Sequence, residues 1–288
     1  MSEFEFVTTL SEAGEALIKV QPQIEIGPIK FAIEIEGILF PVFLNINRVH
    51  PGRLTVLYNG AVNRERSPDG IVFQRSSWAN EIPSSVVSFA DPTLVLHEKM
   101  TIGWGQADGV LFAPEQYSRI LVVLRQVLNL PHAAKTLHFG SSAGGFQALA
   151  TAGYDPSSRV LCNNPQTDFS RYSVAWATNR ALKIHGFSNR SEYLAAEHYA
   201  DFAWRVEVPK LYEKLSYVPQ NIRILINSAS KNDLEEQAEA FVTGVTSISS
   251  EPSTRGYEIC YYFHPTLGHN PLPKSTTIDE ITSQLSQL

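Results

Sequence analysis

The 288-residue sequence contains few cysteines, and this scarcity bounds where the protein works. Its two cysteines, Cys162 and Cys260, are too few for the disulfide framework of a small secreted domain. Both lie in apolar stretches, where a reduced thiol packs as a small hydrophobic group. We therefore expect a reducing compartment and a cytoplasmic location.

The sequence also lacks a positive charge excess and long hydrophobic runs. The 23 Lys and Arg residues are outnumbered by 29 Asp and Glu residues, which gives a formal net charge of -6. Domains that bind nucleic acid usually carry a basic excess, so we expect no nucleic-acid partner. The longest apolar runs, such as residues 120–124, are far shorter than the roughly 20 residues of a membrane span. Residues 1–17 do not resemble an export signal, because they carry acidic residues and no apolar core.

What the sequence does contain is enough apolar residue, 43%, to form a full hydrophobic core. Apolar and polar residues alternate in three short runs, at residues 24–26, 29–35 and 39–43, which predicts antiparallel strands at the start of the fold. From residue 54 onward, compact apolar strands alternate with helical stretches, and this alternation indicates a mostly parallel sheet. No linker composition divides the chain, so we expect residues 1–288 to form one domain.

The most informative segment is a Gly-x-Ser-x-Gly motif at residues 140–144, between a predicted strand and a predicted helix. A serine at the apex of such a turn needs small neighbours, because the turn is sharp and its backbone is strained. Phosphate-binding turns do not fit: a Walker A motif needs lysine where Gly145 stands, and a dinucleotide fingerprint needs glycine where Ser142 stands. Ser142 is therefore predicted to be a catalytic nucleophile.

A serine hydroxyl reacts near neutral pH only when a base is held beside it by a third group. Asp233 follows the predicted strand at residues 222–226, and His269 follows the last predicted strand, so the order is serine, aspartate, histidine. Asp168 and His264 are the alternatives, since each also follows a strand. We favour Asp233 over Asp168 because a histidine follows it after the next predicted strand. His269 is favoured over His264 because the preceding glycine lets its loop turn back over the sheet.

In these motifs and their order, the sequence resembles the α/β-hydrolase superfamily over nearly its whole length. The resemblance implies an α/β-hydrolase fold, with a mostly parallel central sheet, antiparallel N-terminal strands and a helical cap insertion. It also implies Ser142 as the nucleophile, Asp233 as the acid and His269 as the general base.

The oxyanion hole of this superfamily is built from two backbone amides. Ala143, directly after the nucleophile, is expected to supply the first. The second is expected from Gly60 or Ala61, in the loop after the third strand of the family's sheet, although Asn59 stands where the family usually has histidine.

The expected activity is cleavage of a carboxylic ester through an acyl-enzyme intermediate, on a small-molecule or glycan substrate. One alternative is O-acyl transfer, in particular O-acetyl transfer, to a glycan or other alcohol, because the same three residues serve both reactions. Another is a binding protein of the same fold with an idle serine. No cofactor is expected, and no metal, because the remaining histidines lack ligand spacing.

Residues 165–221 are predicted to form a mostly helical cap over Ser142. They hold ten of the 30 aromatic residues of the chain, more than short helices need for anchoring. Trp176 and Trp204 are candidate substrate-binding residues, because each indole N–H could meet a hydroxyl group. The alternative is that the aromatic residues pack inward or form the surface of a homodimer. Trp104, in a glycine-flanked segment, is a third candidate that either lies under a sugar or packs in the core.

Three arginines, Arg64, Arg66 and Arg75, follow the predicted oxyanion loop. They are either contacts for an anionic substrate or members of a solvated surface, and scattered arginines more often belong to a surface.

Overall fold

The computed structural model describes residues 4–248 and 256–288. Within these residues, one sheet is formed by β1 (Val7–Thr9), β2 (Ile29–Ile35), β3 (Ile38–Asn45), β4 (Leu54–Tyr58), β5 (Ser85–Phe89), β6 (Thr136–Ser141), β7 (Arg159–Asn163), β8 (Ile222–Asn227) and β9 (Tyr257–Tyr262). The strand order is β1-β2-β3-β5-β4-β6-β7-β8-β9.

The sheet is mixed at one end and parallel over most of its width. Strand β3 runs antiparallel to both of its neighbours, β2 and β5, whereas every pair from β5 to β9 is parallel. Strands β4 and β5 are buried at every position, because helices cover both faces of the parallel region. This arrangement matches the predicted sheet.

The helices are α1 (Ala13–Lys19), α2 (Gln21–Ile26), α3 (Pro92–Leu96), α4 (Ala113–Leu128), α5 (Ala143–Tyr154), α6 (Ala175–Ile184), α7 (Arg190–Ala195), α8 (Tyr199–Val206), α9 (Val208–Leu215), α10 (Glu239–Ile248) and α11 (Lys274–Ser286). Helices α4, α5, α9 and α10 pack side by side in one layer, and α11 packs against β6 and β7. The apolar side chains form two clusters; the smaller joins Ile281 and Leu285 of α11 to Leu137, Phe139 and Leu161.

One predicted strand is wrong. Residues 24–26 lie in helix α2, whose first turn contains Pro22, a residue whose fixed φ suits a helix start. In that helix Ile24 is buried and Ile26 is 89% exposed. Three residues of alternating character cannot distinguish a strand from a short amphipathic helix, and here the helical alternative is the one formed. The short strand β1, which pairs with β2, was not predicted.

Helices α6 to α9 lie between β7 and β8, so residues 165–221 are mostly helical as predicted. Helix α9 joins the layer beside the sheet, where the Tyr212 hydroxyl donates to the carbonyl of Leu149 in α5. Four of the ten aromatic residues of the insertion are buried: Phe169, Phe187, Tyr193 and Tyr212. Much of the aromatic content therefore anchors the helices.

A charged network is buried near the middle of the sheet. The Tyr58 hydroxyl lies 2.7 Å from Nδ1 of His138, and Nε2 of His138 lies 3.0 Å from the Asp155 carboxylate. Both terminal nitrogens of Arg125 donate to that carboxylate at 2.7 Å. Burial lowers the pKa of His138, which keeps the ring neutral between its two partners. His138 therefore serves the core.

Within residues 4–248 and 256–288, no helix has both the length and the apolar character needed to cross a membrane.

Candidate active site

Ser142 lies on the sharp turn between β6 and α5. Its backbone has φ 55° and ψ -127°, a strained combination for a residue with a side chain. The glycines on both sides are required by close approach: a Cβ at Gly140 would lie 2.1 Å from the carbonyl oxygen of Gly144, and one at Gly144 would lie 2.7 Å from that of Tyr58. The tight packing of this turn holds Ser142 at the carboxyl edge of the sheet.

The structure brings together the three residues that the sequence analysis put forward as nucleophile, base and acid. Nε2 of His269 lies 2.8 Å from Oγ of Ser142. Nδ1 of the same ring lies 2.7 and 2.9 Å from the two carboxylate oxygens of Asp233. These are hydrogen-bond distances, so the three side chains form one continuous chain of hydrogen bonds.

The position of Asp233 determines which nitrogen of His269 carries the proton. Asp233 lies in a π-helical turn, Asn232–Ala238, directly after β8, and its side chain is 0% exposed. An ionised carboxylate only accepts hydrogen bonds, so Nδ1 donates to it. The neutral ring then has a lone pair on Nε2, which can accept the hydroxyl proton of Ser142.

Two buried asparagines hold the loop that carries His269. The side-chain amide of Asn227, at the end of β8, donates to the carbonyls of His264 and Gly268, and its oxygen accepts the His264 N–H. Asn164, directly after β7, donates to the carbonyl of His269. Neither residue could be identified from the sequence, because a buried asparagine that fastens a loop has no local pattern of its own.

The alternative acid, Asp168, and the alternative base, His264, contact residues other than those of the triad. Asp168 accepts hydrogen bonds from Ser170 and from Nε of Arg171, and burial raises the pKa of its carboxyl group. Nδ1 of His264 faces the Thr266 hydroxyl at 3.4 Å. Asp168 thus serves as the cap of a short helical turn, Phe169–Arg171.

The backbone amides around Ser142 distinguish between the oxyanion candidates. Ala143 is the first residue of α5, so its N–H has no partner inside the helix. The N–H of Gly60 donates to Oε1 of Gln74 at 2.9 Å, whereas the N–H of Ala61 has no acceptor among the described residues. The Gln74 amide also donates to the Ala61 carbonyl, which fixes the orientation of this loop. The contacts therefore favour Ala61 over Gly60 as the second donor.

The candidate tryptophans lie in three different surroundings. Trp104 is 0% exposed, stacks on Phe169 and donates its N–H to Gln166, so it has no surface for a ligand in this structure. Trp176 is 52% exposed, with the Arg180 guanidinium over its ring.

The indole N–H of Trp204 donates to the carbonyl of Asp201 in its own helix, and its ring lies under the Lys214 ammonium. This tryptophan lines a surface cleft of about 440 Å³ formed by residues of α8 and α9. Within the part of the chain that the structure describes, no hydrogen bond or ring contact joins Trp176 or Trp204 to Ser142, Asp233 or His269.

A different aromatic residue of the insertion lies beside the triad. The ring centroid of Tyr172 is 6.0 Å from that of His269, and burial raises the pKa of its hydroxyl group. It belongs to the ten aromatic residues noted in the sequence. Nothing in the sequence separated it from the tryptophans, which were preferred for their N–H groups.

Among the described residues, no group of three or more His, Cys, Asp or Glu side chains is arranged to hold a metal ion.

Neither the family models nor the curated protein sequences contain a match to this chain. Several solved structures, in contrast, are similar to it. The capsule O-acetyltransferase of Neisseria meningitidis serogroup A is 14% identical with a TM-score of 0.60, and the match covers 88% of this chain and 96% of that chain. Carboxyl esterase 2 from the fungus Tuber melanosporum is 11% identical with a TM-score of 0.55, over 90% and 85% of the two chains.

An S-formylglutathione hydrolase from Agrobacterium tumefaciens is 14% identical with a TM-score of 0.50, over 90% of this chain and 92% of that chain. These similarities show that the chain has the α/β-hydrolase fold, and they confirm the fold predicted from the sequence.

Proposed function

We propose that the protein is a serine-dependent enzyme that cleaves a carboxylic ester through an acyl-enzyme intermediate. The observation that carries this proposal is the unbroken chain of hydrogen bonds from Asp233 through His269 to Ser142. A strained turn that presents a serine to a neutral imidazole has the parts that nucleophilic catalysis requires.

In the proposed reaction, Oγ of Ser142 attacks the ester carbonyl while Nε2 of His269 takes the hydroxyl proton. The negative charge that develops on the carbonyl oxygen is stabilised by the N–H groups of Ala143 and Ala61. Asp233 stabilises the imidazolium that forms. The ester bond then breaks, the imidazolium gives its proton to the departing alcohol, and the acyl group remains on Ser142. Water activated by His269 releases the acid and restores the serine.

Acyl transfer is the second candidate, and the similarity to a capsule O-acetyltransferase over most of both chains favours it. In that reaction a glycan hydroxyl or another alcohol replaces water in the second step, and the same residues act. An idle serine in a binding protein fits less well, because its hydrogen bond to His269 would then serve no purpose.

We propose a single domain in which residues 165–221 form a cap that contributes to the substrate site. Tyr172 supports this proposal because it approaches His269 closely. Trp176 and Trp204 are candidates only for a substrate long enough to reach them. A cytoplasmic location and a small-molecule or glycan ester as substrate are parts of the same proposal. The free thiols of Cys162 and Cys260 support a reducing location.

A fluorophosphonate probe tests the proposed nucleophile. The probe should label the intact protein, and Ser142→Ala should lose both the label and turnover of p-nitrophenyl acetate, with kcat falling by about 10⁴- to 10⁶-fold. Ser283→Ala is the matched control, because Ser283 is exposed on α11. This variant should keep both the labelling by the probe and the turnover of the ester. Labelling that persists in Ser142→Ala would place the nucleophile elsewhere.

A competition assay separates hydrolysis from transfer. The wild-type protein is given p-nitrophenyl acetate with and without an oligosaccharide acceptor, and the acetylated sugar is measured by mass spectrometry. Acetyl-oligosaccharide formed at the expense of acetate would support transfer, and acetate alone would support hydrolysis.

A further inference from the structure

Arg75 occupies an unusual position beside the proposed nucleophile. Its Nη2 donates to Oγ of Ser141 at 2.6 Å, and Ser141 directly precedes Ser142. Its Nη1 lies 3.5 Å from Oε1 of Gln74, the oxygen that accepts the Gly60 N–H. The guanidinium therefore touches both the strand that ends in the serine and the residue that orients the oxyanion loop.

Among the residues that the structure describes, no carboxylate pairs with the charge of Arg75. No ion pair of the described residues includes it, although seven other arginine and lysine side chains form such pairs: Arg48, Arg125, Arg171, Lys210, Arg223, Lys231 and Lys274. Burial lowers the pKa of Arg75 to about 10, so its guanidinium stays charged at neutral pH. Keeping an unpaired charge partly buried is unfavourable, and such a cost is commonly met where a ligand supplies the missing charge.

The side chain is also held in place. The guanidinium carbon lies 5.4 Å from the ring centroid of Trp78 and 5.3 Å from that of Phe139, so the plane is fixed by two aromatic neighbours. Its hydrogen bonds to Ser141 and Gln74 use two of five N–H donors, and the remaining donors have no acceptor among the described residues. Arg75 is partly exposed, so these donors are not sealed inside the core.

The other two arginines of this segment differ from Arg75. Arg64 donates to the backbone carbonyls of Pro68, Leu94, His97 and Met100, so its donors serve the loop. Arg66 is exposed on the surface. Of the three arginines considered as contacts for an anionic substrate, Arg75 is the one with unused donors and with a fixed position beside Ser141, which directly precedes Ser142.

We propose that Arg75 binds a carboxylate group of the substrate, next to the ester that Ser142 attacks. The planar fork of one guanidinium matches the two oxygens of one carboxylate, which identifies the substrate class as an ester that carries a carboxylate near its carbonyl carbon. This inference rests on the proposed esterase or acyltransferase function. Arg75 acts in it as a specificity residue.

Two pairs of esters test the proposal and distinguish on which side of the ester the carboxylate lies. Mono-p-nitrophenyl glutarate carries a carboxylate on the acyl group, and p-nitrophenyl pentanoate is its neutral partner. The 4-acetoxybenzoate ion carries a carboxylate on the alcohol part of the ester, and methyl 4-acetoxybenzoate is its neutral partner. The quantity measured is kcat/KM for the anionic ester divided by kcat/KM for the neutral ester of the same pair.

Arg75→Met removes the charge and keeps the length of the side chain, and it should lower this ratio by about 10- to 100-fold in one of the two pairs. Arg75→Lys should recover part of the ratio, because it restores the charge without the fork. Arg66→Met removes an exposed charge from the same segment, and it should leave the ratio of the wild-type protein unchanged. In the wild type, added salt should lower the ratio in the affected pair.

A ratio that is insensitive to Arg75→Met, to Arg75→Lys and to salt in both pairs would overturn the inference. So would equal losses on neutral and anionic esters together with a lower melting temperature, since that outcome would assign Arg75 to packing. If Arg75→Met does not fold, Arg75→Lys and the salt dependence decide. Failure of the wild type to hydrolyse any of the four esters, with no labelling of Ser142, would instead overturn the proposed function.

Discussion

Replacing Asp233 with asparagine tests the geometry of the site with the smallest change of shape. Both carboxylate oxygens lie within hydrogen-bond reach of Nδ1 of His269, at 2.7 and 2.9 Å. In Asp233→Asn, an amide nitrogen in either position donates to Nδ1 and moves the ring proton to Nε2. Nε2 then faces Ser142 as a donor and can no longer accept the hydroxyl proton.

The expected cost follows from losing the base while the fold is kept. A wrong histidine tautomer in an otherwise intact serine triad lowers kcat by about 10⁴-fold. At about 1.36 kcal/mol for each factor of ten, this is roughly 5.4 kcal/mol of transition-state stabilisation. KM should change little, because Asp233 is fully buried and does not face the substrate.

The assay is steady-state hydrolysis of p-nitrophenyl acetate, with thermal unfolding as the check on folding. Asp168→Asn is the matched control: Asp168 is also a buried aspartate, but it binds Ser170 and Arg171. It should lower kcat by less than about tenfold, since it has no part in proton transfer. Loss of turnover in Asp168→Asn, with turnover kept in Asp233→Asn, would refute the assignment of Asp233 as the acid.

Two further predictions concern substrate choice and stability. Tyr172→Ala should change kcat/KM for p-nitrophenyl butyrate, divided by kcat/KM for p-nitrophenyl acetate, by about tenfold, because Tyr172 lies beside His269. The control variant Trp204→Ala should leave this ratio unchanged. Equal losses for both esters in Tyr172→Ala would contradict a role of Tyr172 in specificity. For Asp155, burial opposes ionisation, but the hydrogen bonds from Arg125 hold the pKa of its carboxyl group well below the usual 3.8. The stabilisation from this depressed pKa is complete above about pH 4 and is lost as the pH falls through the lower folded value. Asp155→Asn should therefore lower the free energy of unfolding, measured by urea unfolding, by about 3–5 kcal/mol at pH 7 and by less at pH 3. A loss of stability that does not depend on pH would contradict the ion pair between Asp155 and Arg125.

The sequence alone predicts those parts of the molecule whose structure is determined by local residue patterns. The predicted strand at residues 222–226 agrees with β8 (Ile222–Asn227) to within one residue, since it is a short apolar run followed by turn residues. The Gly-x-Ser-x-Gly turn could also be recognised in the sequence, because no larger side chain fits at Gly140 or Gly144. The carboxyl ends of parallel strands meet at one edge of a sheet, so predicting the strands also predicted which chain segments would meet.

What the sequence could not supply depends on contacts between distant residues. The choice between Gly60 and Ala61 is set by the side chain of Gln74, which is 14 residues away. That no carboxylate within residues 4–248 and 256–288 pairs with Arg75 is visible only once its neighbours are known. For Trp104 the sequence left open whether the ring lies under a sugar or packs in the core, and the folded chain buries it completely.

The histidine of the proposed triad is separated from its serine by 127 residues, and this distance along the chain has a consequence for biosynthesis. Domains are synthesised at about 5–20 residues per second, so Ser142 is translated roughly 6–25 s before His269. Throughout that interval the nascent chain carries a serine that has no base. In the proposed mechanism, reactivity arises only after β9 has joined the sheet beside β8 and the two asparagines have fastened the final loop. The order of the strands thus delays reactivity towards esters until the fold is nearly complete.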